Sequence, residues 1–279
     1  MIKVTNLTFQ YPNELMVLNQ LSLEIKKGEF VALIGQNGAG KTTLLKQFNG
    51  LLKPSSGDVW IDGLNTKETN TGNLARTVGY LFQNPDHQIF MPTVEKEIGF
   101  GPSNLKLSKE EVKQRVAEAA AQVGLTAYLA ENPLFLSKGQ RQRVAFASLL
   151  SMRPEVMVLD EPTTGQDYQE GIEIMEMVKK LHREGHTIIF VTHDMELVAR
   201  YANRAIVLSQ GKILLDDTCQ NVFYQPELLK ETNLFPPQIA RLVQKFNSQQ
   251  TRFEQAISVE EMLEKVLKLS ESETNVCCS

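Results

Sequence analysis

The sequence has few cysteines and no long hydrophobic run, and each absence excludes a class of protein. Its three cysteines, Cys219, Cys277 and Cys278, are too few and too badly placed for a disulfide framework, and the last two are predicted to be free thiols. A prenylation box would require cysteine where Val276 stands. No apolar run approaches the roughly 18 residues of a membrane span, and the first residues lack a signal-peptide pattern. We therefore expect a cytosolic chain whose membrane association, if any, comes through a partner.

The sequence also lacks a strong charge of either sign. Its 279 residues carry a net charge of −4, with 42% hydrophobic and 22% charged residues, which is ordinary for a soluble protein of one or two domains. This balance argues against a surface that binds nucleic acid or anionic lipid by bulk charge, although a local basic patch stays open. We expect no nucleic-acid partner.

A glycine-rich segment, Gly35–Thr42, directly follows the apolar run Phe30–Ile34 and matches the pattern G-x-x-x-x-G-K-[ST]. Its glycines let backbone N–H groups point at a phosphate, and the following helix adds its positive end. Lys41 is predicted to reach the β- and γ-phosphates, and the Thr42 hydroxyl to bind Mg²⁺. A turn that binds nothing is the alternative, and the strand, loop and helix in register argue against it. The predicted nucleotide-binding residues here are Gly35, Asn37, Gly38, Ala39, Gly40, Lys41, Thr42 and Thr43.

Hydrophobic patterning predicts an α/β core with an all-helical lobe inserted in its middle. Alternation over the first thirty residues predicts a small antiparallel β-layer, with turns at 12–14 and 26–28. The apolar runs Val156–Asp160 and Thr187–Val191 are typical of buried parallel strands, joined by an amphipathic helix at 170–184. Between about 93 and 152 the period is helical.

Two more apolar-striped segments, Phe235–Phe246 and Val259–Leu269, follow a closing hairpin, and no glycine occurs beyond Gly211. We predict a nucleotide-binding domain over 1–225, with the inserted helical subdomain at about 93–152, and a C-terminal helical region over 226–279. Two interpretations of this tail stay open: a helical cap that packs on the core of the same chain, and a module that binds another protein.

Polar side chains follow the predicted strands at one edge of the sheet. Asp160 is placed to hold Mg²⁺ through water, and Glu161 to act as general base on the attacking water. His193 follows the next strand and is predicted to sense the γ-phosphate, while the amide of Gln83 is placed to touch Mg²⁺ or the lytic water. An acidic strand end facing solvent and a structural histidine are the alternatives.

The segment Leu136–Arg143, which precedes a helix and the Asp160–Thr163 strand end, resembles the signature segment of ATP-binding cassette (ABC) proteins. The resemblance covers about residues 1–220 and implies a RecA-like parallel-sheet core that works as a head-to-tail dimer with two ATP molecules between the chains. It further implies that Tyr11 stacks on adenine, and that Ser137, Gly139 and Gln140 contact nucleotide held by a second cassette. The ordered set comprises Tyr11, the phosphate loop 35–42, Gln83, the segment 136–140, Asp160-Glu161, Asp167 and His193.

One residue departs from this resemblance. Lys138 stands where the family usually has glycine, so the backbone amide is kept while a side chain and a charge are added. We expect the lysine to be accommodated with little effect, rather than to weaken the site offered to the partner. The loop Thr163–Asp167 is implied to cross between the two cassettes.

The segments Gln83–Phe90 and Thr93–Phe100 resemble the extended glutamine loop of energy-coupling factor (ECF) and cobalt- or nickel-importer ATPases. That resemblance implies a dimerising C-terminal region, an integral-membrane T component and a small S component that captures a vitamin, a vitamin precursor or a metal ion. Asp86 is predicted to pair with an arginine of the membrane partner, and a solvated loop carboxylate is the alternative.

The predicted activity is ATP hydrolysis coupled to transport, at the cytoplasmic face of a prokaryotic membrane and with ATP and Mg²⁺ as cofactors. Another ABC importer class is the alternative. A soluble ABC ATPase is disfavoured because the chain has one cassette, no C-x-x-C pair and a short helical insert. A nucleotide sensor without turnover is opposed by Glu161 and His193.

Overall fold

The fold was determined as a computed structural model that describes residues 1–12, 15–248 and 254–276. The turn predicted at 12–14 lies partly outside the described residues, and Cys277 and Cys278 lie wholly outside them. The strands are β1 (Ile2–Gln10), β2 (Met16–Ile25), β3 (Phe30–Ile34), β4 (Ser56–Ile61), β5 (Leu64–Asn65), β6 (Val78–Leu81), β7 (Val156–Asp160), β8 (Thr187–Val191), β9 (Arg204–Ser209) and β10 (Lys212–Thr218). The helices are α1 (Lys41–Phe48), α2 (Thr71–Leu74), α3 (Val94–Asn104), α4 (Lys109–Gln122), α5 (Lys138–Met152), α6 (Tyr168–Arg183), α7 (Met195–Tyr201), α8 (Cys219–Phe223), α9 (Pro226–Glu231), α10 (Gln238–Ser248) and α11 (Val259–Val276).

Two sheets carry the fold, and both match the predicted class. The smaller is antiparallel in the order β2-β1-β4-β5, and it contains the predicted N-terminal layer. The larger has the order β10-β9-β3-β8-β7-β6, in which only the β9–β10 pair is antiparallel. Strands β3, β7 and β8 are buried along their whole length, which explains their continuous apolar sequences.

The parallel arrangement brings several strand ends together at one edge. Strands β6, β3, β7 and β8 all run in the same direction, so the residues that follow them lie side by side. The phosphate loop follows β3, Gln83 follows β6, Asp160 ends β7 and His193 follows β8. The helical insert α3–α5 lies between β6 and β7 in sequence, as the helical period predicts.

Helix boundaries differ from the sequence expectations where capping decides them. The crossover helix α6 begins at Tyr168, two residues before the predicted start, because Asp167 and Glu170 form a reciprocal capping box. Helix α10 begins at Gln238 rather than Phe235, because a residue before proline is disfavoured in the helical conformation, and Phe235 and Pro236 each precede a proline. Helix α11 continues to Val276 instead of ending at Leu269.

The C-terminal region packs against the α/β core. Leu229, Ala240 and Ile257 are buried in the same hydrophobic cluster as the helices and strands that precede them. The Tyr224 hydroxyl is bonded to both the carbonyl and the N–H of Ala256, each at 3.0 Å. Leu263 remains exposed on α11. The division at 225/226 stays a prediction. Among the described helices, none has the length and hydrophobicity that crossing a membrane requires.

Candidate nucleotide-binding and hydrolysis site

The phosphate loop needs glycine at two positions because of its close packing. Gly35 has φ +150°, and a Cβ there would lie 2.2 Å from the carbonyl oxygen of Leu208 on β9. Gly40 has φ +102°, and its Cβ would lie 2.9 Å from Leu18 Cδ2. Both substitutions would force backbone or core atoms to move. The loop is therefore wedged between the two sheets, and α1 starts directly after it.

Lys41 lies across this loop. Its ammonium donates to the carbonyls of Gly35 at 2.7 Å and Gln36 at 2.9 Å, and the residue is only 7% exposed. Burial lowers the pKa of the Lys41 ammonium, while the nearby Glu161 and Asp160 carboxylates act in the opposite direction. Its position beside two carboxylates suits a group that neutralises phosphate charge.

A cavity of about 290 Å³ opens beside Lys41 and joins most of the predicted site residues. Of the predicted residues, Gly35, Ala39, Tyr11, Ser137, Gly139 and Gln140 are absent from the described residues that line it. The lining residues are Leu15, Val17, Asn37, Gly38, Gly40, Lys41, Thr42, Thr43, Gln83, Asp160, Glu161, Val191 and His193.

Asp160 at the end of β7 is held by a residue that the sequence reasoning missed. The Tyr80 hydroxyl donates to Asp160 Oδ2 at 3.0 Å, and Asp160 is 3% exposed. Burial raises the pKa of Tyr80 well above its ordinary value, and the Asp160 carboxylate adds to the effect, so the phenol stays protonated. Tyr80 pairs in register with Val158, which shares a strand face with Asp160. The pairing of residues between β6 and β7, which the sequence alone does not reveal, would therefore have identified this contact.

Glu161 has both carboxylate oxygens engaged. Its Oε1 lies 2.5 Å from His193 Nε2, and its Oε2 accepts a hydrogen bond from the Thr164 hydroxyl at 3.0 Å. Its backbone has φ +52°, a left-handed conformation that glutamate seldom adopts. The structure thus brings the predicted base and the predicted phosphate sensor together, and adds Thr164, which sequence reasoning did not single out.

Gln83 lines the cavity, and the loop after it is tied to helix α5. Asp86 Oδ1 accepts from Arg141 Nε at 2.8 Å, and Arg141 also donates to the carbonyl of Leu136 at 2.7 Å. The carboxylate that we predicted to meet a partner arginine is therefore paired inside the chain. The partner contact itself remains a prediction.

The segment around Ser137 forms the capped start of α5. Ser137 Oγ accepts from Gln140 N–H at 3.1 Å, and Gln140 Oε1 accepts from Ser137 N–H at 2.9 Å. This capping box leaves the amides of Lys138 and Gly139 at the positive end of a 15-residue helix. The helix end can receive an anion, and it lies apart from the described lining of the cavity beside its own phosphate loop.

Tyr11 contacts helix α1, which contains the last residues of the phosphate loop. Its hydroxyl lies 3.2 Å from Thr43 Oγ1, and its ring meets the edge of Phe9 with centroids 4.9 Å apart. Its stacking on adenine stays a prediction.

Comparison with known proteins places this geometry in a family. The ABC transporter family model matches residues 18–164, more than half of the chain. The chain is 45% identical to the energy-coupling factor transporter ATP-binding protein EcfA of Methanocaldococcus jannaschii. That match covers 88% of this chain and 89% of EcfA. Its structure matches cbiO1 of Clostridium perfringens, part of the ABC transporter complex cbiONQ. That match has a TM-score of 0.73 and 36% identity, and covers 87% of this chain and 98% of cbiO1.

Some relatives are much longer than this chain. A protein of Caldanaerobacter subterraneus subsp. tengcongensis, TTE1589, carries the name of an ABC transporter ATP-binding protein. It is 47% identical over 94% of this chain, which spans only 45% of that relative. The matched residues 18–164 include the phosphate loop, Gln83, the α5 start and the Asp160-Glu161 pair. The chain belongs to the ABC transporter family of ATP-binding proteins.

Proposed function

We propose that this chain hydrolyses ATP and drives an ECF-type importer of a vitamin, a vitamin precursor or a transition-metal ion. One observation carries the hydrolysis: Lys41, Asp160, Glu161 and His193 converge on one cavity beside the phosphate loop. That set supplies phosphate binding, cation binding and a general base within a single site.

Each residue has a defined task in hydrolysis. Loop amides and Lys41 bind the phosphates, and Lys41 neutralises charge that develops on the γ-phosphate. Glu161 accepts the proton of the attacking water, and Thr164 and His193 fix the direction of its carboxylate. Phosphate binding would offer His193 a second acceptor and so free one oxygen of Glu161.

The donors beside the loop suit Mg²⁺. The Thr42 hydroxyl, the Gln83 amide oxygen and the Asp160 carboxylate all line the cavity and are hard oxygen ligands. Tyr80 keeps the second Asp160 oxygen in place by donating to it. When bound, Mg²⁺ neutralises phosphate charge, and these three residues would hold it directly or through water.

A second chain would complete the site. Ser137, Gly139 and Gln140 stand at a helix start that can receive an anion, and they lie apart from the lining of their own cavity. In a head-to-tail dimer this helix start would meet the γ-phosphate bound by the partner, while Tyr11 would stack on adenine within the same chain.

A membrane partner is supported by the relatives and by an exposed aromatic pair. EcfA carries the name of an energy-coupling factor transporter protein, and cbiO1 is part of a transporter complex. Phe90 and Phe100 lie next to the Gln83 loop, with ring centroids 4.8 Å apart and exposures of 63% and 39%. We assign this patch to a membrane T component that acts with an S component at the cytoplasmic face.

Two measurements test the proposal. Glu161→Gln should lower the ATPase rate about a hundredfold or more while ATP binding is kept, because the base is lost and the shape preserved. Glu155→Gln, an exposed change just before β7, is the matched control. Near-normal turnover by Glu161→Gln would remove the assigned base.

The transport role has its own test. The chain, expressed with its native membrane fraction and purified in mild detergent, should bring down an integral-membrane protein. Phe90→Ser should weaken that recovery without changing ATP affinity. Recovery of only soluble proteins would contradict the importer assignment while leaving hydrolysis intact.

A further inference from the structure

Lys138, the first residue of α5, lies against the loop 161–167 of its own chain. A Cβ built on Gly165 would lie 3.0 Å from Lys138 Cε and 3.1 Å from Cδ. Gly165 has φ +83°, so its backbone also favours glycine. The aliphatic stem of Lys138 therefore occupies the space above Gly165 that a side chain would otherwise fill.

A second contact joins the same two segments. Gln166 Nε2 donates to the carbonyl of Gly139 at 3.2 Å. The Gln166 Oε1 atom is buried and has no hydrogen-bond partner among the described residues. The start of α5 and the loop are thus held together by one apolar packing contact and one hydrogen bond.

The loop in turn holds the general base. Thr164, next to Gly165, donates to Glu161 Oε2 at 3.0 Å, and Asp167 anchors the other end of the loop by capping α6. Because the loop is short and fixed at both ends, a shift at Gly165 is carried to Thr164. Without the Thr164 hydroxyl, the Glu161 carboxylate keeps only its contact with His193 among the described side chains.

We propose that Lys138 is a positioning residue for Glu161, acting through Gly165 and Thr164. This rests on the proposed hydrolysis. Lys138 stands in the segment that would meet the partner's nucleotide, whereas Glu161 serves the nucleotide of its own chain. The contact therefore links occupancy of one site of the dimer to the orientation of the base in the other.

The aliphatic stem, rather than the charge, carries this role. The Lys138 ammonium has no hydrogen-bond or ion-pair partner in the described part of the chain, while its methylene groups contact the loop. Methionine has a similar stem and no charge, so it should keep the contact. Alanine should lose it.

Three variants separate these contributions. Lys138→Ala removes the stem, and Lys138→Met keeps it. Lys109→Ala is the matched control, since Lys109 is likewise the exposed first residue of a helix capped by a serine and lies away from the site. The readouts are kcat and KM for ATP, and hydrogen exchange of the peptide covering 161–167 in nucleotide-free protein.

The expected pattern is specific. Lys138→Ala should lower kcat roughly tenfold, a partial loss of what a general base supplies, with KM changed less than about twofold. Amide exchange in 161–167 should become faster. Lys138→Met should restore kcat to within about twofold, and Lys109→Ala should match the wild type.

Two results would overturn the inference. In the first, Lys138→Ala keeps the wild-type kcat and the wild-type hydrogen exchange in 161–167. In the second, Lys138→Met is as impaired as Lys138→Ala, which would assign the effect to the charge. A wild-type protein without ATP turnover would instead refute the proposed function, while the exchange comparison would still decide whether Lys138 holds the loop.

Discussion

Replacing Tyr80 by phenylalanine tests how Asp160 is held at the end of β7. The change removes one hydroxyl and leaves Asp160 Oδ2, in a residue only 3% exposed, without its donor at 3.0 Å. Hydrogen bonds to charged groups contribute about 1.5–3 kcal/mol, so we expect Tyr80→Phe to lower the free energy of unfolding by about 2 kcal/mol. For a chain of 279 residues, that corresponds to a fall in Tm of about 3–4 °C.

A double-mutant cycle measures the contact itself. Tyr80→Phe, Asp160→Ala and the double variant are unfolded by heat and by urea without nucleotide, and the coupling energy should be about 2 kcal/mol. Tyr128→Phe is the control, because the Tyr128 hydroxyl has no hydrogen-bond partner among the described residues. Additive effects of the two substitutions would show that Tyr80 does not hold the carboxylate.

Two further predictions concern Lys41 and the Asp86–Arg141 pair. Burial lowers the pKa of Lys41 from 10.5, so the native state binds its proton less tightly than the unfolded state. The stability of the wild type relative to Lys41→Met should therefore be greatest above pH 10.5, and it should fall as the pH drops through the lowered pKa of native Lys41. Urea unfolding measures this difference, and an equal pH dependence of the two proteins would contradict the prediction. Asp86→Ala should cost less than about 1 kcal/mol because the Asp86 side chain is 52% exposed, so water screens the pair. Arg141→Ala should cost more, since it also loses the bond to Leu136, and equal losses in thermal unfolding would refute that reading.

The order of elements could be predicted because it depends on local sequence. Buried parallel strands such as Val156–Asp160 are continuously apolar, and the phosphate loop has fixed spacing. The Ser108-x-x-Glu111 spacing at the start of α4 is likewise a local capping pattern, and Ser108 Oγ accepts a hydrogen bond from Glu111 N–H at 3.1 Å. Local patterns of this kind need no knowledge of the tertiary fold.

The contacts that orient the site could not be predicted in the same way. Asp86 and Arg141 are 55 residues apart, and Tyr80 and Asp160 are 80 apart, so only the folded register brings each pair together. The direction of the Lys138 stem depends on the bare backbone at Gly165, which the sequence around Lys138 does not reveal. Sequence spacing identified which residues matter, and tertiary packing decided what holds them.

The burial of the C-terminal helices has a consequence for dissecting the protein. A polypeptide cut at residue 225 would lose Leu229, Ala240 and Ile257 from the main hydrophobic cluster and would leave the Tyr224 hydroxyl without its two hydrogen bonds to Ala256. Removing several fully buried side chains at once exposes enough apolar surface to cause aggregation. The smallest soluble fragment should therefore extend past Ile257, and a relative that shortens this tail must fill the same space with other side chains.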